Sequence, residues 1–169
     1  MVYEESLILG IDPGLRHTGW GIISYKGSLI KLIASGVINT NSTTKLCQRL
    51  GFLSSELKNI LHEHKPVHCA MEEIFLNKNP ATTIKLSHAR GALMASIAAF
   101  GLEVEEYPSK TVKKTLVGVG NADKEQVLFM IKRMLPAKEI TNYDEADALA
   151  VAICHAHHYK IIQKAKAYE

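Results

Sequence analysis

Two short apolar runs, each ending in a carboxylate and separated by one amphipathic stretch, constrain the fold of this chain more than any other feature. The first is Ser6-Leu-Ile-Leu-Gly-Ile-Asp12, followed at once by Pro13-Gly14; the second is Val67-His-Cys-Ala-Met-Glu72. Between them Leu46, Leu50, Leu53, Leu57, Ile60 and Leu61 recur at helical spacing. That is one face of an amphipathic helix, which should end before Pro66. A helix between two apolar strands is a crossover, so Leu7–Asp12 and Val67–Ile74 should run parallel. If they are neighbours, Asp12 and Glu72 emerge at the same sheet edge, where open α/β sheets bind ligands.

The remaining segments extend this α/β plan. Thr18–Tyr25 and Ser28–Ile38, joined by a Lys26-Gly27 turn, continue the first strand as an antiparallel meander. Ala81–Phe100 is an alanine-rich helix whose small residues suit close approach in the core or across a dimer interface. Leu102–Tyr107 reads as a short strand and Pro108–Leu116 as a short helix. After the loop Val117-Gly-Val-Gly120, either Asn121 or Asp123 can cap a helix running to Leu135, with Pro136 as its stop. Asn142 followed by Glu145 resembles a capping box for the last helix. There is no repeat and no linker-like segment, and 169 residues fit a single domain over 1–169 with a real core. No run reaches the apolar length needed to span a bilayer. The N-terminus is acidic and lacks a signal peptide's basic start. Cys47, Cys69 and Cys154 are far apart, which favours reduced thiols in a cytoplasm and argues against a zinc knuckle.

A second pair of acids completes the case for chemistry. Asp144 and Asp147 are three apart, at the start of the apolar helical stretch Asp144–Ile153, and so share a helix face. Unneutralised, they repel by a few tenths of a kcal/mol, of which the helix dipole offsets roughly 0.3–1 kcal/mol per anion. Capping alone accounts for Asp144, but Asp147 lies deeper, amid Ala146, Ala148 and Leu149. Asp-Pro-Gly is also an ordinary turn sequence. Successive strand residues face opposite sides, so only one of Glu72 and Glu73 can point into a common site, and the sequence alone does not choose. Carboxylates at the ends of buried elements are costly unless neutralised, and a divalent cation neutralises several at once. An all-oxygen ligand set suits Mg²⁺ or Mn²⁺ rather than zinc. Two such ions about 3.5–4 Å apart can stabilise both the attacking and leaving oxygens of a phosphodiester displacement.

In order along the chain, several motifs are similar to those of RuvC-type Holliday junction resolvases. They are Gly10-Ile-Asp-Pro-Gly14 with Thr18-Gly-Trp-Gly21, Met71-Glu-Glu-Ile-Phe75 and His88-Ala-Arg-Gly91. Lys113-Lys-Thr-Leu-Val-Gly-Val-Gly-Asn-Ala-Asp-Lys124 and Asp144-Glu-Ala-Asp-Ala-Leu-Ala150 follow. Several motifs in the correct order and spacing are a strong signal, unlike any one alone. The resemblance implies an RNase H-like fold: a five-stranded mixed sheet, antiparallel meander plus parallel strands, flanked by helices. It implies a homodimeric endonuclease that nicks two opposing strands of a four-way DNA junction, working with a branch-migration helicase complex. The family's glutamate aligns with Glu72 and its aspartates with Asp12, Asp144 and Asp147. By that alignment Asp12 bridges two Mg²⁺ ions, with Mn²⁺ able to substitute. Glu72 and Asp144 each help hold one ion, and Asp147 completes the site or handles a proton.

The DNA contacts follow with less constraint. With four of the 17 acids assigned to one site, 20 basic residues face 13 remaining acids, an excess of about seven that suits a polyanionic partner. Residues 108–133 hold six basic residues against two acids; of these Lys113 and Lys124 align with family lysines and suit phosphate contact. Lys132 and Arg133 read as a solvated helix face. Lys78 and Arg90 are further candidates. Phe75 follows Glu72 by three, where an exposed aromatic can stack on an unpaired base; the family resemblance implies a wedge into the junction. Cys154, His157 and His158 share a helical face, a pattern more often a helix running out to solvent than a metal site. Two other readings compete. One is an actin-like or sugar-kinase-type ATP-binding fold, which Gly10–Gly14 with Thr18-Gly19 resembles; it needs a second lobe and another phosphate loop, for which 169 residues leave no room. The other is a catalytically inert junction-binding module, which predicts missing acids.

Overall fold

The computed structural model describes residues 4–74, 79–136 and 139–166, with side chains as far as residue 159. Five strands form one mixed sheet: β1 (Ser6–Asp12), β2 (His17–Lys26), β3 (Leu29–Asn39), β4 (His68–Glu72) and β5 (Val104–Tyr107), in the order β3-β2-β1-β4-β5. The first three make the expected antiparallel meander. β4 lies parallel to β1 and β5 parallel to β4. The crossover from β3 to β4 is α1 (Leu46–His64), which buries Leu53, Leu57, Ile60 and Leu61. It ends at His64, two residues before Pro66, and Lys65 between them takes a left-handed conformation and donates its amide to the Leu61 carbonyl. α2 (Pro80–Ala99) joins β4 to β5.

Strand alternation sorts the side chains into two cores. Leu9, Ile11, Cys69 and Met71 face the layer made by α1 and α2. Ile8 and Ala70 face the opposite layer, made by α3 (Ser109–Val117), α4 (Lys124–Met134) and α5 (Tyr143–Lys166). By the same period of two, Asp12 and Glu72 belong to the α5 side. β4 stops at Glu72, two residues short of the expected Ile74.

Helix starts use short polar side chains. Asp123, rather than Asn121, caps α4 in a complete capping box with Gln126. Asn142 Oδ1 accepts from the amides of Asp144 (2.8 Å) and Glu145 (3.4 Å) at the head of α5. The Glu145 carboxylate accepts from Ser35 Oγ at 2.6 Å.

α5 rests directly on the backbone of β1 and β2. A β carbon on Gly10 would stand 2.1 Å from the Ala148 carbonyl oxygen, and one on Gly19 would stand 1.8 Å from that of Asp144. Gly10 pairs with Gly21, and Gly19 with Asp12, across the β1/β2 ladder. This seam of absent side chains sets the height of α5 above the sheet, and so the depth of its acids.

Candidate metal and nucleic-acid site

Parallel pairing of β1 with β4, in register at Ile11 and Met71, brings Asp12 and Glu72 out side by side at one sheet edge. Both line a cleft of about 230 Å³ with Ser109, Lys113, Lys124 and Asp147. Both also line an adjoining cleft of about 290 Å³ with Glu73, Leu86 and Ser109. Glu72 therefore shares a cleft with Asp147, as its strand parity requires, whereas Glu73 lines only the outer one. Asp144 sits one turn nearer the start of α5 and lines neither cleft, yet its charge acts on both Asp12 and Asp147.

The electrostatics reflect this crowding. The Asp12 carboxyl is held well above its usual range by burial first, then by Glu72, Asp147 and Asp144, with Lys124 pulling the other way. Burial is also the main cause that lifts Asp147 to about 6; Glu72 and Asp144 add to it, while Lys124 and Lys113 oppose it. Lys124 Nζ stands 4.0 Å from Asp147 Oδ2. Among the described residues, no three His, Cys, Asp or Glu side chains already form a closed ligand set. The residues nonetheless fit a divalent cation. A buried acid facing three others, offset chiefly by Lys124, calls for added positive charge. Donors that are all carboxylate oxygen suit Mg²⁺ or Mn²⁺.

Of the sequence-derived DNA contacts, Lys113 and Lys124 lie in the acid-lined cleft. Phe75 and Lys78 fall outside the described residues. Arg90 is placed differently from these two lysines. It is buried, and its guanidinium donates to the Glu72 main-chain carbonyl and to the Glu106 carboxylate, so it is not a surface cation free to meet phosphate. Cys154 is likewise buried, with its thiol against Thr115 and His158. Three further features shape the site: the Arg90 clamp, the glycine seam under α5, and Ser109, which opens α3 and lines both clefts. Gly10, Gly19 and Gly21 inside strands are a readable signal of close backbone approach; Ser109 carries no such signal.

Comparison with known proteins agrees with this fold. The family model described as crossover junction endodeoxyribonuclease RuvC matches residues 8–155. The protein of that name from Gluconobacter oxydans (strain 621H) is 50% identical over 151 residues, covering 89% of this chain and 90% of the relative. Its namesake from Rhodospirillum rubrum is 48% identical over 151 residues, covering 89% of each. The structure of T. thermophilus RuvC in complex with Holliday junction substrate superposes with a TM-score of 0.87 at 32% identity, over 92% of this chain and 96% of that one. The yeast mitochondrial Holliday junction resolvase Ydc2 shares the fold at 19% identity, with a TM-score of 0.66 over 97% of this chain and 85% of its own. The five-stranded mixed sheet with flanking helices is the one expected of RNase H-like resolvases. With 50% identity to a RuvC protein over 151 residues and the family model spanning 8–155, the chain belongs to the RuvC family of crossover junction endodeoxyribonucleases.

Proposed function

We propose that this chain is a structure-selective endonuclease that resolves four-way DNA junctions by metal-dependent hydrolysis of two opposing phosphodiesters, during recombination and repair. The observation that carries it is the convergence of Asp12, Glu72 and Asp147 with Lys113 and Lys124 in one cleft, within the field of Asp144. Asp12, Glu72, Asp144 and Asp147 would hold Mg²⁺ or Mn²⁺, two ions per site. When bound, the ions supply charge neutralisation at the attacking and leaving oxygens of an in-line displacement. Lys113 and Lys124 hold the DNA phosphate against the acids and limit their mutual repulsion. Asp147 would complete the donor set or handle a proton; in the metal-free fold burial raises its carboxyl to about 6.

Several features support the wider reading. A relative was solved with Holliday junction substrate. A homodimer fits a junction of near-twofold symmetry, since each protomer then cuts an equivalent strand. The whole chain would act as one nuclease domain, with a branch-migration helicase complex as its partner. The three cysteines are free, which suits a reducing cytoplasm. Among the described residues, no helix is long and apolar enough to cross a membrane. An inert junction-binding module has no use for four acids at one sheet edge, and a kinase-type ATPase is not favoured by the family match.

The test is incubation with a synthetic four-way junction and with plain duplex, each with Mg²⁺ or EDTA. Paired nicks in the junction alone, only with Mg²⁺, are expected, and Asp12→Asn should abolish them. Equal cutting of both substrates would sink junction selectivity; an active Asp12→Asn would sink the site.

A further inference from the structure

Arg90 is a buried cation that the proposed reaction does not use, and its partners lie at the edge of the site. It is 8% exposed on α2. One guanidinium nitrogen donates to the main-chain carbonyl of Glu72 and another to the Glu106 carboxylate on β5. The next amide, Glu73 N–H, donates to the Tyr107 carbonyl at 2.9 Å. The single peptide group between Glu72 and Glu73 is thus held from both sides, its N–H by β5 and its carbonyl by Arg90. This is the peptide at which β4 ends and at which the chain must commit Glu72, rather than Glu73, to the inner cleft.

We propose that Arg90 is a positioning residue: by fixing the plane of the 72–73 peptide it aims the Glu72 carboxylate at the cation site. The proposal rests on the reading of Glu72 as a working carboxylate. A planar guanidinium suits the task because two of its N–H groups reach acceptors on two different strands at once. A lysine is a single point charge and would serve Glu106 while leaving the Glu72 carbonyl loose. Glu106 faces the α1–α2 layer by strand parity, paired in register with Met71, and so supplies the counter-charge that a buried arginine requires.

The experiment compares Arg90→Lys, Glu106→Gln and wild type in three readouts. These are junction affinity in EDTA, the Mg²⁺ concentration giving half-maximal single-turnover cleavage, and the rise in melting temperature on adding Mn²⁺ without DNA. Arg90→Lys should bind the junction within about twofold of wild type, with its Mg²⁺ midpoint raised about tenfold and its Mn²⁺-induced rise at most about half as large. Glu106→Gln keeps the Glu72 contact and should hold its midpoint within about threefold. If Arg90→Lys does not fold, the double variant Arg90→Met with Glu106→Gln removes both charges and should show the same raised midpoint. A wild-type metal response in Arg90→Lys overturns the proposal. So does an equal defect in Glu106→Gln, which would mark a purely structural ion pair, or a loss of junction affinity with an unchanged metal response. Asp12→Asn separates the two levels: if it abolishes cleavage and the Mn²⁺ effect while Arg90→Lys is normal, the site stands and only the role of Arg90 fails.

Discussion

Asp147 meets opposed demands from folding and from chemistry. Ionised, it shares a partly desolvated cleft with Glu72 and lies within the field of Asp144; burial first, then these charges, raises its titration to about 6. Its charge therefore costs the metal-free fold stability at every pH above that of an unfolded aspartate, fully so above about 6. Replacing it with Asn removes that cost. In EDTA at about pH 7.5, Asp147→Asn should be more stable than wild type by about 1–2 kcal/mol, a figure discounted for partial exposure and the nearby Lys124. The advantage should vanish by about pH 4, where the folded wild type is already protonated. Mg²⁺ should narrow or reverse it, since only the wild type has the full donor set. Urea titrations with and without the ion measure each arm, and a less stable Asp147→Asn in EDTA at neutral pH would refute the account. Spacing alone puts Asp144 and Asp147 on one helix face. The residue pattern alone leaves Glu72 and Glu73 open and only the family resemblance selects Glu72, because parity has meaning only once Ala70 is known to face α5 and Met71 to face α1 and α2.

The element that makes the site is α5, and its docking rests on missing side chains. At Gly19 an added methyl would meet the Asp144 carbonyl oxygen at 1.8 Å, and backbone cannot step aside as a side-chain tip can. Gly19→Ala must lift the head of α5 by more than an ångström. That should cost about 1–3 kcal/mol, as overpacking does, and reduce the junction-cleavage rate at saturating Mg²⁺ by about 10²-fold, as a displacement of that size does to aligned groups. Gly51→Ala in α1, with no atom within 4 Å of the new methyl, should instead raise stability by up to about 1 kcal/mol through helix propensity. Equal effects of the two substitutions on cleavage would remove the seam from the mechanism. The elements themselves were readable where period and punctuation agree: α1 from its leucine spacing and Pro66, α4 from Asp123 and Pro136. Their boundaries were less so. β4 stops at Glu72, whose carbonyl accepts from the Arg90 guanidinium of a helix distant in sequence.

Across the whole molecule, two buried groups of opposite sign shape how stability follows pH. The site acids favour protonation, so the metal-free fold gains on acidification through about 6 and below. Away from the site, His155 on α5 is buried against Tyr107, His68 and Tyr159. Its Nδ1 is 2.9 Å from the Tyr107 hydroxyl, and its Nε2 has no partner among the described residues. Burial, then His68 and His158, lowers its titration to about 4. A histidine kept neutral in the fold but protonated in the unfolded chain contributes stability above about 6.5, which is lost as pH falls toward 4. His68, also lowered by burial although Glu105 opposes it, acts in the same direction. The two trends overlap in metal-free protein and partly cancel, so the wild-type profile alone cannot separate them. A difference can. His155→Gln can still bond Tyr107 but does not titrate, so in EDTA the change in unfolding free energy from about pH 7.5 to about pH 5 should be more favourable than in wild type by about 2 kcal/mol. Parallel profiles for the two proteins would mean that His155 charges as readily in the fold as in the unfolded chain, and that its burial against Tyr107 exerts no electrostatic hold on this end of α5.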